Sequence, residues 1–261
     1  MSVLSSITVY PIKSLPGHAL EKAEVLRSSA LKHDRRLALV DDTGAIVNAK
    51  RTADIHRIEA EYIDDVQSVR LRRRGDSSWQ TFDLATEQSQ LASYCGELLN
   101  MRLRLIEDRV AGLPDDSTLP GPTVVARSSL AAVAEWFNLK IEDVRARFRA
   151  NLEIDDVEPF WEDRLLSVDD RGLPFRMGDV EFAGVNPCAR CVVPTRDPHS
   201  GNIRSGFAKE FAERRAATLP SWAVRERFDH FYRLSVNTRL APSSSGGMIR
   251  LGDAIELATR E

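Results

Sequence analysis

Two thiols three residues apart carry the most chemistry in this chain. They lie in the run Asn186-Pro187-Cys188-Ala189-Arg190-Cys191-Val192-Val193-Pro194-Thr195-Arg196-Asp197-Pro198-His199-Ser200-Gly201. Arg190 stands between them, and arginine beside a thiol favours the thiolate, the form that ligates metals and attacks electrophiles. Pro187 and Pro194 restrict the backbone on either side. Asp197-Pro198-His199-Ser200-Gly201 has the composition of a tight turn. Four readings of the pair are open. A structural zinc site needs four ligands, and only Cys95 and five histidines without zinc-site spacing remain to complete it. A thioredoxin-like redox pair would open a helix after a strand, whereas prolines follow here. Two unrelated buried cysteines are the third reading. The fourth is one thiolate serving as ligand to something larger.

The elements that must position this run read mostly as strands. Residues 6–10 are β-branched and aromatic, and Pro11 ends them. Residues 36–40 and 45–49, split by Asp41-Asp42-Thr43-Gly44, read as a hairpin. Residues 57–63, 67–73 and 79–84 continue the series, and strands return at 180–185, 231–236 and 248–257. Even spacing of this kind favours a barrel or sandwich over alternating βαβ units. Helices are expected at 86–100, where Leu91, Tyr94, Cys95, Leu98 and Leu99 share a stripe, and at 128–137, with Ser128 or Ser129 as N-cap. Two more fall at 141–148 and at 205–218, the last stopped by Pro220. Arg72-Arg73-Arg74 reads as a solvated strand end. A Gly/Pro/Ser-rich linker at 112–122 divides the chain into expected domains 1–115 and 116–261.

Composition narrows the classes. The chain has 261 residues, 43% hydrophobic and 29% charged, as globular proteins do. That is long enough to bury a large core without a disulfide or metal staple. Its apolar runs fall far short of the ~18 residues of a membrane span, and the N-terminal stretch has no signal-peptide core. A net charge of −3 argues against general nucleic-acid binding. Three cysteines in a chain without a targeting segment suit a reducing compartment. The expectation is a cytoplasmic protein without nucleic-acid or membrane partners.

The thiol-bearing run resembles the signature of the molybdenum cofactor sulfurase C-terminal (MOSC) domain. In that family a Cys-x-Arg-Cys precedes a short apolar stretch and then Thr-x-Asp-Pro-x-(Thr/Ser)-Gly. Val9-Tyr10-Pro11-Ile12-Lys13-Ser14 is similar to the opening strand of the family's N-terminal partner domain, and His33-Asp34-Arg35-Arg36-Leu37 to a later strand of it. Phe148-Arg149-Ala150-Asn151 resembles the family's Phe-Arg-Pro-Asn, with Ala150 in place of proline. Met177-Gly178-Asp179-Val180 and Leu251-Gly252-Asp253-Ala254-Ile255 resemble two Gly-Asp turns. Asn186 stands where many members have arginine. The matches run in order along nearly the whole chain.

The resemblance implies a mostly β fold, an N-terminal β-barrel-like module packed on a MOSC β-barrel with peripheral helices. It implies a molybdenum cofactor whose metal takes Cys191 as protein ligand and catalytic thiolate, with Cys188 a neighbouring thiol. Lys13, Ser14, Arg35, Arg149, Asn151 and Arg190 would bind the cofactor, the cations holding its phosphate and Asn151 its pterin edge. It further implies a reductase of N-hydroxylated compounds such as amidoximes and hydroxylamines. A separate electron carrier (a ferredoxin, flavodoxin or cytochrome b5-like protein) and its reductase would supply electrons, since no GxGxxG and no four-cysteine cluster set is present. Pyridoxal phosphate binding is a family association, but its Lys-bound domain exceeds the length at hand. The alternatives are a non-enzymatic cofactor carrier and a persulfide-carrying protein.

Overall fold

The computed structural model of the chain describes residues 2–169 and 172–257. Its largest sheet has eight strands. From edge to edge they run Ile255–Leu257, Leu173–Met177, Val180–Ala189, Arg233–Leu240, Thr123–Ala126, Leu152–Asp155, Val3–Val9 and His18–Leu20. Leu152–Asp155 and Thr123–Ala126 are parallel, and the other neighbours are antiparallel. The N-terminal strand therefore lies inside a sheet made mainly from the second half of the chain. It buries Leu4, Ile7 and Val9, a spacing that a strict period of two does not give. A bulge between Leu4 and Ser6 shifts the register and restores the core face.

The sheet nearly returns on itself. Val3 bridges Ala254, next to the far edge strand. The Leu4 N–H donates to the Asp253 carbonyl at 2.9 Å and the Ile255 N–H to the Ser2 carbonyl at 3.0 Å. The expected barrel is thus a curled sheet whose seam is one isolated bridge rather than a full ladder. Leu4, Ile7, Val124, Leu152, Phe175, Phe182 and Val236 fill its interior.

Three small sheets complete the strands. Ile58–Ile63, Ser68–Arg73 and Gln80–Asp83 form a meander close to the expected limits; Lys22–Val25 pairs with Gly247–Arg250, and Leu37–Val40 with Arg104–Glu107. Helix α1, Gln88–Leu99, buries Leu91, Cys95 and Leu99 against Val69, Leu71 and Phe82. Helices α2, Arg127–Phe137, α3, Ile141–Phe148, and α4, Phe207–Ala217, share an aromatic core. In it Phe137 stacks on Phe207 at 4.1 Å and Phe148 lies 5.4 Å from Phe211.

Several expectations are corrected. The hairpin of 36–40 with 45–49 reduces to one bridge, Val40 to Ile46, because Leu37–Val40 takes Arg104–Glu107 as its ladder partner. The N-cap of α2 is Ala126, not Ser128 or Ser129. Ser129 turns inward instead, donating to Glu162 Oε2 at 2.8 Å and accepting the Phe160 N–H at 2.6 Å. Residues 248–257 form two strands separated by a turn. The strand expected at 180–185 runs on to Ala189, bulged around Asn186 and Pro187, and so carries Cys188 into the sheet.

Candidate functional site

A cleft of about 840 Å³ lies where the small N-terminal sheets meet the large one. That volume falls in the ~300–1,000 Å³ range of small-molecule sites. Lys13, Ser14, Arg35, Arg149, Asn151, Arg190 and Cys191, drawn from four stretches of sequence, all line it, together with Cys188. Nine Lys and Arg side chains line it against four carboxylates, opposite in sign to the whole chain's −3. Such a concentration of cations in a concave surface raises the local concentration of anions.

The two thiols occupy different elements. Cys188 lies on the bulged end of the Val180–Ala189 strand, and Arg190 Nη1 approaches its sulfur at 3.2 Å. Cys191 lies beyond the strand, in the turn into the 3-10 helix Val193–Thr195, where its sulfur accepts the Val193 N–H at 3.5 Å. Cys95, by contrast, is fully enclosed in α1, and burial pushes its thiol up to about 12.

The loop after Cys191 is held from two sides. Asp197 Oδ1 accepts the His199 N–H at 3.1 Å, the Ser200 N–H at 2.8 Å and the Ser200 hydroxyl at 2.9 Å, which folds the Asp-Pro-His-Ser-Gly turn. Gly201 has φ +76°, and a Cβ there would stand 2.5 Å from the Ala53 carbonyl oxygen. On the other side Arg147, 5% exposed at the end of α3, donates to the Pro194 carbonyl at 3.0 Å and to the Arg196 carbonyl. Sequence reasoning did not single out Arg147; its only sequence signal is a charged residue beside the buried face of a helix.

Arg149 caps α3 in the left-handed region, φ +53°. Its guanidinium covers the Tyr10 ring at 4.0 Å and donates to the Leu15 carbonyl at 2.8 Å. Burial depresses its basicity. Among the described residues neither Arg149 nor Arg190 makes an ion pair; Arg190 bonds the Phe148 carbonyl and the Cys188 sulfur. Arg35 differs, since it pairs with Asp34 and reaches Asn151 Oδ1 at 3.5 Å. Asn151 is almost wholly buried, and its amide is spent inside the sheet: Oδ1 accepts from the Thr123 N–H and hydroxyl at 3.2 Å each, and Nδ2 donates to the Thr8 carbonyl at 3.0 Å. It therefore locks the cleft floor. Ser14 Oγ accepts the Ala49 N–H at 3.2 Å.

Lys13 lies at the base, donating to the Leu113 carbonyl at 2.7 Å and pairing with Asp115 at 2.8 Å. Burial lowers its basicity, and Asp115 offsets part of that. Lys50, Asp115 and His56 also line the cleft and were not anticipated. Each is a single residue in a loop or short turn, with no periodic or motif signal. Burial, with the charges of Arg149 and Arg196, pulls His56 down to about 4, so its ring is neutral near pH 7; its Nε2 is enclosed and has no partner. Arg74 lines the rim and binds Glu59 at 2.7 Å, so the Arg72-Arg73-Arg74 run is not merely solvated.

Among the described residues no group of three or more His, Cys, Asp or Glu side chains could hold a metal. The set instead offers two half-buried thiols beside guanidiniums that make no ion pair and an ammonium. That chemistry suits an anionic ligand that brings most of its own metal ligands. No helix among the described residues is long and apolar enough to cross a membrane.

Comparison with known proteins agrees in outline. The family model for the MOSC N-terminal beta barrel domain matches residues 1–139, and that for the MOSC domain matches residues 122–256. The chain is similar to the molybdenum cofactor sulfurase of Caenorhabditis elegans, 24% identical over 216 residues, which covers 74% of this chain and 28% of that protein. It is similar to the molybdenum cofactor sulfurases of Solanum lycopersicum, 24% identical with 97% and 35% covered, and of Arabidopsis thaliana, 22% identical with 77% and 29% covered. The chain spans about a third or less of the length of these curated relatives.

Proposed function

The chain belongs to the MOSC-domain family, and from that premise we propose that it is a molybdenum cofactor-binding oxidoreductase that reduces N-hydroxylated compounds with electrons from a separate carrier protein. The observation that carries the reading is the meeting, in one cleft, of the Cys191 sulfur with the cations Lys13, Arg149 and Arg190. The cofactor is a metal dithiolene with one phosphate, and this donor set matches both of its ends. When bound, it would supply two-electron redox and oxygen-acceptor chemistry.

The chain's own residues do the rest. The Cys191 thiolate would hold the metal, and the Val193 N–H that donates to its sulfur would help to orient it. Lys13, Arg149 and Arg35, which line the same cleft, would neutralise the phosphate. Arg147 clamps the loop that bears Cys191 to the helix that ends in Arg149, so the thiol and the cation keep a fixed separation. His56, its ring neutral near pH 7, also lines the cleft. Reduction of an amidoxime consumes two electrons and two protons, breaks the N–O bond and releases water. The sequence carries no flavin or nicotinamide fingerprint, which supports an outside electron source.

The test is the molybdenum content of the full chain made in a host with intact cofactor synthesis, followed by turnover of benzamidoxime. Near-stoichiometric molybdenum, and turnover with reduced viologen but not with NADPH alone, are expected. Turnover with NADPH alone, in preparations free of other reductases, overturns the electron-source reading. A full complement of molybdenum without turnover by any donor replaces the enzyme with a carrier. Absence of molybdenum with sulfane sulfur on Cys191 favours sulfur handling, which the names of the relatives make the second reading.

A further inference from the structure

One carboxylate inside the cleft sits on two ammoniums. Asp115 Oδ1 lies 2.8 Å from Lys13 Nζ, and Asp115 Oδ2 lies 2.8 Å from Lys50 Nζ. The three side chains differ in freedom. That of Lys13 is 8% exposed, whereas those of Asp115 and Lys50 are 54% and 40% exposed. Lys13 is fixed from both ends: its N–H donates to the Leu37 carbonyl and its ammonium to the Leu113 carbonyl, both at 2.7 Å. Gly112, φ +69°, packs so tightly that a Cβ would stand 2.5 Å from the Asp34 carbonyl oxygen, and the Leu113 N–H donates to the Arg35 carbonyl at 2.8 Å. The loop is thus anchored up to residue 113, and Asp115 lies just past the anchor. Its carboxylate can swing into solvent without breaking any of these contacts.

Charge is unbalanced in the present arrangement. Two ammoniums face one carboxylate, and Arg35 adds a further positive field at Lys13. A phosphate monoester dianion would close the balance. It would present two oxygens in the places of the two carboxylate oxygens and have a third left for another donor. Lys50 also lies within electrostatic reach of Cys191, so the anion place and the thiol belong to one cleft. The Lys50–Asp115 pair is exposed and so contributes little to stability, whereas Lys13 is buried, so Asp115 leaves it only as another anion takes its place.

We propose that Lys50 joins Lys13 in a phosphate-monoester site, and that Asp115 is the chain's own stand-in for that phosphate, leaving the two lysines when the ligand enters. The inference rests on the cofactor reading only for the source of the phosphate. The exchange is a property of Lys13, Lys50 and Asp115. Asp115 then acts as an internal competitor: it keeps the lysines in place in the free protein and rejects weak or singly charged anions.

The experiment uses the full chain, produced in a host that lacks molybdenum cofactor synthesis, titrated calorimetrically at constant ionic strength. The probes are inorganic phosphate and 6-hydroxymethylpterin monophosphate. D115N is expected to bind each at least about tenfold tighter than the parent, the size of one charge-assisted hydrogen bond. Adding K50A to D115N should remove that gain. A second readout needs no variant: phosphate should speed cleavage by the broad-specificity protease subtilisin within residues 114–121 of the parent protein, because the loop loses its anchor at Asp115. Unchanged or weaker phosphate binding in natively folded D115N, or cleavage that phosphate slows or leaves unchanged, overturns the proposal. The pterin ester binding more tightly than inorganic phosphate assigns the place to a cofactor phosphate; equal affinity assigns it to free phosphate. A chain from a cofactor-competent host that lacks molybdenum, yet shows the D115N gain, would sink the proposed function and leave this exchange standing.

Discussion

Cys188 and Cys191 share a cleft but stand on different elements. The Arg190 guanidinium lies 3.2 Å from the Cys188 sulfur at the end of a strand, while the Cys191 sulfur accepts one backbone N–H in a turn, and both residues line the cleft. If Cys191 ligates the metal, C191S should lose molybdenum and C188S should keep most of it; equal metal in both variants would refute the assignment. Arg149 carries the clearest binding prediction. Its guanidinium has a carbonyl and an aromatic ring as partners but no carboxylate, so its charge is available to a ligand. R149A should weaken cofactor retention by roughly 10–150-fold, the effect of losing about 1.5–3 kcal/mol, with unchanged circular dichroism. Full retention through purification would show that Arg149 only packs against Tyr10. The sequence pattern reached these residues because each lies in a contiguous motif. It did not reach Lys50, Asp115 or His56, which become neighbours of Lys13 and Cys191 only through the fold.

At the scale of elements, the turn after Cys191 depends on a glycine. Gly201 has φ +76° and lies against the Ala53 carbonyl, next to the 3-10 helix Asp54–Arg57 that carries His56. G201A should cost about 1–3 kcal/mol in thermal or denaturant unfolding and should lower metal retention along with stability. Loss of stability alone would show that the turn does not govern the thiol's placement. The meander and α1 were legible because apolar periodicity and turn residues agree over 58–99. The false hairpin at 36–49 had equally good local signals, but Leu37–Val40 finds a better ladder more than sixty residues later, at Arg104–Glu107. Ser129 was misread as a cap for a similar reason, since its partner Glu162 lies 33 residues away. Local chemistry names the candidates, and long-range pairing decides among them.

At the scale of the whole molecule, one buried ionic cluster ties the helical layer to the curled sheet. Glu162 accepts from Ser129 and from the Ala126 N–H, and neighbouring Asp163 pairs with fully buried Arg215 of α4. Burial, reinforced by the Asp163 charge, raises Glu162 to about 7 from its ordinary 4.5. Across that window the folded chain keeps a proton that the unfolded chain has lost, so this group makes stability fall as pH rises. E162Q should therefore gain stability relative to the parent between about pH 4.5 and 7; a constant difference at pH 5 and pH 7.5 would show that Glu162 is ionised throughout. The interleaved sheet has a further consequence, for the timing of synthesis. Asn151 bonds back across 143 residues to Thr8, inside a strand whose other ladder neighbour is the short hairpin arm His18–Leu20. At about 5–20 residues per second, the first strand emerges from the ribosome roughly 7–30 s before Leu152–Asp155 exists to receive it. The cleft needs Cys191 as well and is completed later still. Nascent chains must therefore wait with Leu4, Ile7 and Val9 uncovered, an interval in which a chaperone can hold them, and a ligand that spans Lys13 to Cys191 can be loaded only after translation has passed both.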